Sequence, residues 1–223
     1  MVVDTTLLID TCTETGFTAV FSGGVLKFQS FLGSSFDSAQ ALIPTLHAAL
    51  QKNSLSLNEV DLIGVTAGPG SYTGMRLGII SAKCLAYALK KPLVGVPSVE
   101  AYAPLGMTEG KFSVLLDARM GGVYGAIGSI QQGRIEYAPP FLLPLDKVAE
   151  KLEGIHVVVS PHANRLQDKT AFLRGKDWHE ALPSPVLMAE AVKKRWLKGE
   201  YSLNAEVEIL YLRRTQAEIE REK

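Results

Sequence analysis

Two stretches of this chain run in step. LLIDTCTETGFTAVFSGGVLKF, from Leu7, and VLLDARMGGVYGAIGSIQQGRIEY, from Val114, each open on an apolar run that ends in an acid, Asp10 or Asp117. Each also carries a turn after its second run, and the elements that follow repeat as well. Strand signals fall at residues 3–10, 17–21 and 25–32, the last two flanking the hairpin signal Ser22-Gly23-Gly24. Leu42, Leu46, Ala49 and Leu50 form a helical stripe over residues 38–52, with Ser38 as the expected cap. A buried strand at 59–67 passes through a glycine-rich turn into a second helix, 73–89, stopped by Pro92, and a strand at 93–96 closes the half. The order restarts at Phe112. Strands are expected at 112–117, 122–130 and 134–143, a short helix around 145–152, a strand at 155–160 and an amphipathic helix at 186–197.

Strand, strand, strand, helix, strand, helix, given twice, predicts an α/β chain of two mixed-sheet halves, residues 1–103 and 104–223. That order belongs to the duplicated actin-like, Hsp70-like and sugar-kinase-like (ASKHA, RNase H-like) fold. A chain of 223 residues is long enough for two small domains, and 47% hydrophobic with 21% charged residues supplies their cores. Formal net charge is zero, so no global field draws the chain to nucleic acid or to an anionic membrane. In an RNA pathway another protein would have to hold the RNA. Two cysteines, Cys12 and Cys84, make neither a disulfide framework nor a zinc site and point to a reducing compartment. With no basic leader and no apolar run of roughly 18 residues, the expected location is the cytosol, away from membranes. The tail RRTQAEIEREK reads as a solvated or frayed helix, and the basic run at 193–198 as a solvated helix face or an RNA contact.

The stretch GVTAGPGSYTGMRLG, residues 64–78, resembles several ligand loops and matches none. A phosphate loop of Walker type needs Lys after its last glycine, where this chain has Met75 and Arg76. A dinucleotide fingerprint needs glycine at position 73, which is Thr73, and a nucleophile elbow needs glycines two residues either side of Ser71, which are Pro69 and Thr73. There remains a tight turn at a helix N-terminus, with two readings. Either it receives an anion, or Ser71 or Thr73 caps the helix. Arg76 in the first turn opposes the helix dipole and suggests an acidic partner or a surface ion pair. Within the helix Gly74, Gly78, Ala82 and Ala86 recur every fourth residue. Such a stripe admits close approach by the chain's own sheet or helix, or by a separate polypeptide. The rest of the helix, Met75, Leu77, Ile79, Ile80, Leu85 and Leu89, is apolar nearly all round and calls for cover on more than one side.

In this fold class an acid ending the first strand of each half meets a metal-bound nucleotide. Asp10 and Asp117 hold those places, with Arg119 beside the second, as a vestigial ligand cleft or as turn-forming residues. No glycine follows Asp10 in its turn, and no late glycine pair offers an adenosine pocket.

The segments LLIDTCTE, GVTAGPGSYTGMRLGI, GVPSVEA, LDARMGGVYGAI and EILYLR closely resemble the signature blocks of the TsaB (YeaZ) family, from about residue 5 to residue 214. The resemblance implies an actin-like fold and a non-catalytic partner of TsaD, the subunit that transfers a threonylcarbamoyl group to the adenosine beside the anticodon. It also implies work alongside the TsaE ATPase, homodimers when alone, tRNA contact only through the complex, and no tightly bound cofactor, ATP being used by the partner proteins. The first two helices of the N-terminal half would form the pairing surface. Leu42, Leu46, Ser71, Gly74, Arg76, Gly78, Ala82 and Leu85 are the expected contact residues, and Gly78→Arg is expected to break the complex while sparing the fold. The catalytic relative carries an H-x-x-x-H metal motif where this chain has His47 alone, which removes the metal site and the peptidase reading with it. Where the family often has a histidine and a glutamate, this chain has Ser38 and Gly122. The competing reading is a small-molecule kinase or ATPase using Asp10 and Asp117.

Overall fold

Leu7, Leu8 and Ile9 are wholly buried because the strand that carries them lies mid-sheet, apolar on both faces. In the computed structural model, which describes residues 3–33, 35–53 and 55–213, the chain divides into two compact units. Unit 1 is Met1–Ala103 with Ala181–Ile209, and unit 2 is Pro104–Glu180 with Leu210–Lys223. Residues 214–223 of the charged tail, and the side chain of Ser38, lie outside the described residues.

Unit 1 begins with β1 (Thr5–Asp10), β2 (Gly16–Ser22) and β3 (Val25–Gly33), antiparallel in succession. The β2–β3 turn is the two-residue Gly23-Gly24, both with positive φ (60° and 74°), the backbone a tight hairpin needs to match strand twist. After α1 (Ser35–Lys52), β4 (Leu62–Gly68) adds parallel to β1. After α2 (Tyr72–Leu89), β5 (Leu93–Pro97) adds parallel to β4, giving the order β3-β2-β1-β4-β5. β4 is buried along its whole length, as the unbroken run LIGVTAG requires of a strand covered on both faces. Leu42, Leu46 and Leu50 of α1 and Ile79, Ala82 and Ala86 of α2 share one core with Leu7, Ile9, Ile63 and Val65, so both helices cover the same face of the sheet.

Unit 2 repeats the plan. β6 (Gly110–Asp117), β7 (Gly122–Gln131) and β8 (Arg134–Tyr137) are antiparallel. The single strand expected over 134–143 is two, because Pro139 and Pro140 supply no N–H to a ladder. The second, β9 (Phe141–Pro144), returns to β7 at Gly122–Gly125. The helix expected at 145–152 is a 3₁₀ turn, Leu145–Lys147, followed by one α-turn, α3 (Val148–Lys151). β10 (Val157–Ser160) pairs parallel with β6. After α4 (Ala163–Lys169), β11 (Asp177–Glu180) pairs parallel with β10, giving β11-β10-β6-β7-β8. The two sheets therefore share one topology, and α4, unforeseen in the sequence along with β11, stands where α2 stands in unit 1.

The helix expected to close the second half belongs elsewhere. α5 (Pro185–Leu197), capped by Ser184, lays Met188, Ala191 and Val192 on Leu8, Phe17, Ala19, Phe21, Leu62, Val94 and Val96, the free face of the first sheet. Arg195 fixes it with two hydrogen bonds to Glu100, 2.6 and 2.8 Å. The chain then lines β5, where Ser202 and Leu93 exchange backbone hydrogen bonds of 2.9 Å and Val207 and Ile209 join the core under α1 and α2.

Candidate functional site

The glycine turn is stitched to the backbone just past β1. The Ser71 N–H donates to the Cys12 carbonyl at 2.8 Å, the Thr11 hydroxyl donates to the Gly74 carbonyl at 2.6 Å, and the Ser98 hydroxyl donates to the Pro69 carbonyl. The Ser71 Oγ accepts the Gly74 N–H at 3.3 Å, so Ser71 is the cap of α2. A Cβ on Gly74 would overlap the Thr11 carbonyl, and one on Gly78 would overlap the Thr11 hydroxyl. The small-residue stripe thus faces the chain's own β1 end and sheet, and Gly74, Gly78, Ala82 and Ala86 are all buried. Leu42 and Leu46 are 1% and 2% exposed, and Leu85 is partly buried in the same core. This corrects the expectation for Gly78→Arg, which would drive a long side chain into Thr11 and Val65.

The opposite side of the helix pair is open. Along α2, Tyr72, Arg76, Ile80, Cys84 and Tyr87 form an exposed row at three- and four-residue spacing, half a turn from the glycines. Tyr72, Ile80 and Tyr87 are 42%, 59% and 81% exposed. Arg76 is exposed and stacks its guanidinium 4.1 Å from the Tyr72 ring centre. On α1, which lies beside α2, Ile43, Pro44, His47 and Ala48 are exposed. The signal for this face was present as the complement of the small stripe.

Asp10 is fully buried. Its Oδ1 accepts the Thr66 hydroxyl at 2.6 Å and the Cys12 N–H at 3.0 Å, while Oδ2 has no hydrogen-bond partner among the described residues. Cys12 Sγ lies 3.1 Å from Thr66 Oγ1, and Tyr102 OH lies 3.3 Å from Thr13 Oγ1, completing a polar cluster that the sequence did not announce. Burial pushes the Asp10 carboxyl above its usual range, against the pull of the Thr66 and Cys12 hydrogen bonds. Burial, and then the nearby Asp10 charge, push the Cys12 thiol and the Tyr102 phenol up as well. A carboxyl whose folded pKa is raised favours folding at low pH, and that stability is lost as pH rises from the ordinary 3.8 through the folded value. Asp10→Asn keeps an acceptor for Thr66 and Cys12. It should therefore lie within about 1 kcal/mol of wild type at acid pH and become progressively the more stable protein toward neutral pH. Urea unfolding of both across that range checks it, and a constant difference at all pH would count against it.

Asp117 ends β6 in unit 2. Its Oδ2 receives Lys169 Nζ at 2.9 Å and lies 3.8 Å from Arg165 Nη1, while Oδ1 accepts the Arg119 N–H at 2.9 Å. The Asp117 N–H donates to His162 Nδ1 at 3.3 Å. Partial burial pushes this carboxyl up, but the Lys169 and Arg119 hydrogen bonds and the Lys169 and His162 charges outweigh it and hold the group below its usual range. Asp10 thus presents no surface, and Asp117 is paired with Lys169 and Arg165. Among the described residues no three His, Cys, Asp or Glu side chains are grouped to hold a metal, and no helix is long and apolar enough to cross a membrane.

Two sheets of one topology, each opening on a strand that ends in an acid, define a protein of the duplicated actin-like class, here with both acids engaged by the chain itself. Residues 34–173 match the family model of tRNA N6-adenosine threonylcarbamoyltransferase, TsaD. The tRNA threonylcarbamoyladenosine biosynthesis protein TsaB of Haemophilus influenzae is 27% identical over 94% of this chain and 93% of its own length. TsaB of Bacillus subtilis is 36% identical, in an alignment that spans 44% of this chain and 43% of the Bacillus protein. The solved structure of YeaZ from Pseudomonas aeruginosa shares the fold, with a TM-score of 0.80 and 24% identity over 94% of this chain and all of that one. The chain belongs to the TsaD family, and it is similar to the TsaB of Haemophilus influenzae over nearly its whole length.

Proposed function

We propose that this chain is the partner subunit on which a TsaD-type transferase docks, through the outward face of α1 and α2, during threonylcarbamoylation of the adenosine next to the anticodon. The observation that carries the reading is the exposed apolar row Tyr72, Ile80 and Tyr87 on α2 beside Ile43 of α1, large side chains left in solvent by a fold that has already satisfied its core. The match to the transferase family and the names of the relatives support this choice of partner and pathway. The chain contributes no catalytic group in this reading, since Asp10 is sealed and Asp117 is paired. ATP is used by the partners, a TsaE-type ATPase among them, and tRNA is held by the complex in the cytoplasm.

Light-scattering mass on a sizing column tests this, for the chain alone and then mixed with the TsaD homologue of the same cell. A homodimer replaced by a one-to-one complex is the expected outcome, and unchanged separate peaks would refute docking. ATP turnover by the chain alone, abolished in Asp10→Ala, would instead restore the kinase reading.

A further inference from the structure

The basic run at 193–198 has no part in the docking reading, and it lies on the other side of unit 1, since α5 covers the face of the first sheet that α1 and α2 leave free. With Met188, Ala191 and Val192 of α5 buried, Lys193, Lys194, Leu197 and Lys198 are turned to solvent, Leu197 to 73% exposure. Lys193 and Lys198 make no ion pair or side-chain hydrogen bond among the described residues. Lys193, Lys194, Arg195 and Lys198 stand against three acids, Glu100, which Arg195 holds, Glu190 and Glu200, so the surface is positive on balance.

The way α5 ends adds an aromatic surface to these lysines. Gly199 takes φ 76°, its N–H donates to the Trp196 carbonyl at 3.0 Å and the Glu200 N–H donates to the Arg195 carbonyl at 2.9 Å, the pair of bonds that stops a helix and reverses the chain. Residue 201 is thereby laid on the last turn, where the Tyr201 ring stacks on Trp196 with centres 4.3 Å apart and planes 34° from parallel. Trp196 packs on the core beneath α5 and Ser202 is bonded to Leu93, so the stack is held from both ends. With Trp196 against it, Tyr201 is still 39% exposed, and Leu203 is 67% exposed. Lysines alone would suit any anion. A fixed, open ring beside them suits a nucleobase, which stacks on aromatic side chains while ammonium groups meet the phosphates, and RNA offers such bases in its unpaired loops. We propose that the end of α5 binds single-stranded RNA, one base stacking on Tyr201 and Lys193 and Lys198 contacting the backbone. That the strand is a tRNA loop rests on the function proposed above, whereas the surface itself does not.

Fluorescence anisotropy of a labelled anticodon stem-loop RNA tests this, on the full chain alone and on the chain premixed with the TsaD homologue. In whichever sample binds RNA, Tyr201→Ala should weaken binding at least about tenfold, and Tyr201→Phe should bind like wild type. Lys193→Glu with Lys198→Glu should weaken it too and lower the slope of log affinity against log salt by about 1 per lysine. Lys111→Glu, exposed on β6 of unit 2, should leave both quantities unchanged. Melting midpoints establish which variants are folded, and the lysine pair, wholly on the surface, decides the matter if Tyr201→Ala is not. Sizing-column mass keeps the two proposals apart, because a missing complex refutes docking and leaves the titration of the chain alone to decide this one. The proposal falls if RNA binds neither sample, if the Tyr201→Ala and lysine variants bind like wild type, or if Lys111→Glu loses as much as the lysine pair. It falls equally if polyglutamate binds and RNA does not, which would make this a surface for an acidic peptide.

Discussion

Gly74→Ala, the smallest substitution available, is expected to destabilise the protein by more than about 3 kcal/mol, in the range reserved for changes a fold cannot absorb. Alanine is ordinarily the better helix residue by about 1 kcal/mol, so propensity alone predicts the opposite sign. Contact decides it. The new Cβ would overlap the Thr11 carbonyl oxygen and lie 3.1 Å from its carbon, and both are backbone atoms that no rotamer change can move. The Thr11 hydroxyl is at the same time hydrogen-bonded to the Gly74 carbonyl, so the strand end and the helix cannot separate without breaking a buried bond. Guanidinium denaturation would show a lowered midpoint. A variant within about 1 kcal/mol of wild type would mean that α2 has room to lift and that the glycine turn is not a packing device.

On the outward side of the same helix the expectation reverses. Ile80→Arg with Tyr87→Arg should change stability by no more than about 0.5 kcal/mol per site, because both side chains already stand in solvent. Affinity for the TsaD homologue should fall at least about a hundredfold, as when central apolar anchors of an interface are replaced by unpartnered charge. Calorimetric titration measures the second quantity and thermal melting the first. Wild-type affinity in the double variant would move the docking surface off α2 altogether. The pair of results, one inside and one outside a single helix, separates packing from recognition more cleanly than Gly78→Arg could.

Much of this was legible in the sequence, and the failures have physical causes. β1 and β4 announced themselves as apolar runs, and α2 by the glycine-rich turn before it and Pro92 just beyond its end. α4 was missed because seven residues with only Ala163 and Leu166 buried make too short a stripe to register. β11, DWHE, was missed because a polar edge strand shows neither alternation nor an apolar run. α5 was recognised as amphipathic, yet periodicity reports that a helix has an apolar face and says nothing of which sheet receives it. The site divided along the same line. Residue types at the turn pointed to α2, but a helix apolar nearly all round gives no inward direction, and only the contact of Gly74 and Gly78 with Thr11 settles which side is core.

The return of residues 181–209 to the first unit bears on how this molecule can be taken apart. The chain's own order suggests cutting near Ala103, yet a fragment ending there would leave Leu8, Phe17, Ala19, Phe21, Leu62, Val94 and Val96 without the cover of Met188, Ala191 and Val192. A chimera between relatives must therefore carry residues 181–209 together with 1–103, and the hereditary unit of this fold is a clasp closed by its far end, with residues 104–180 inserted between its two segments along the chain.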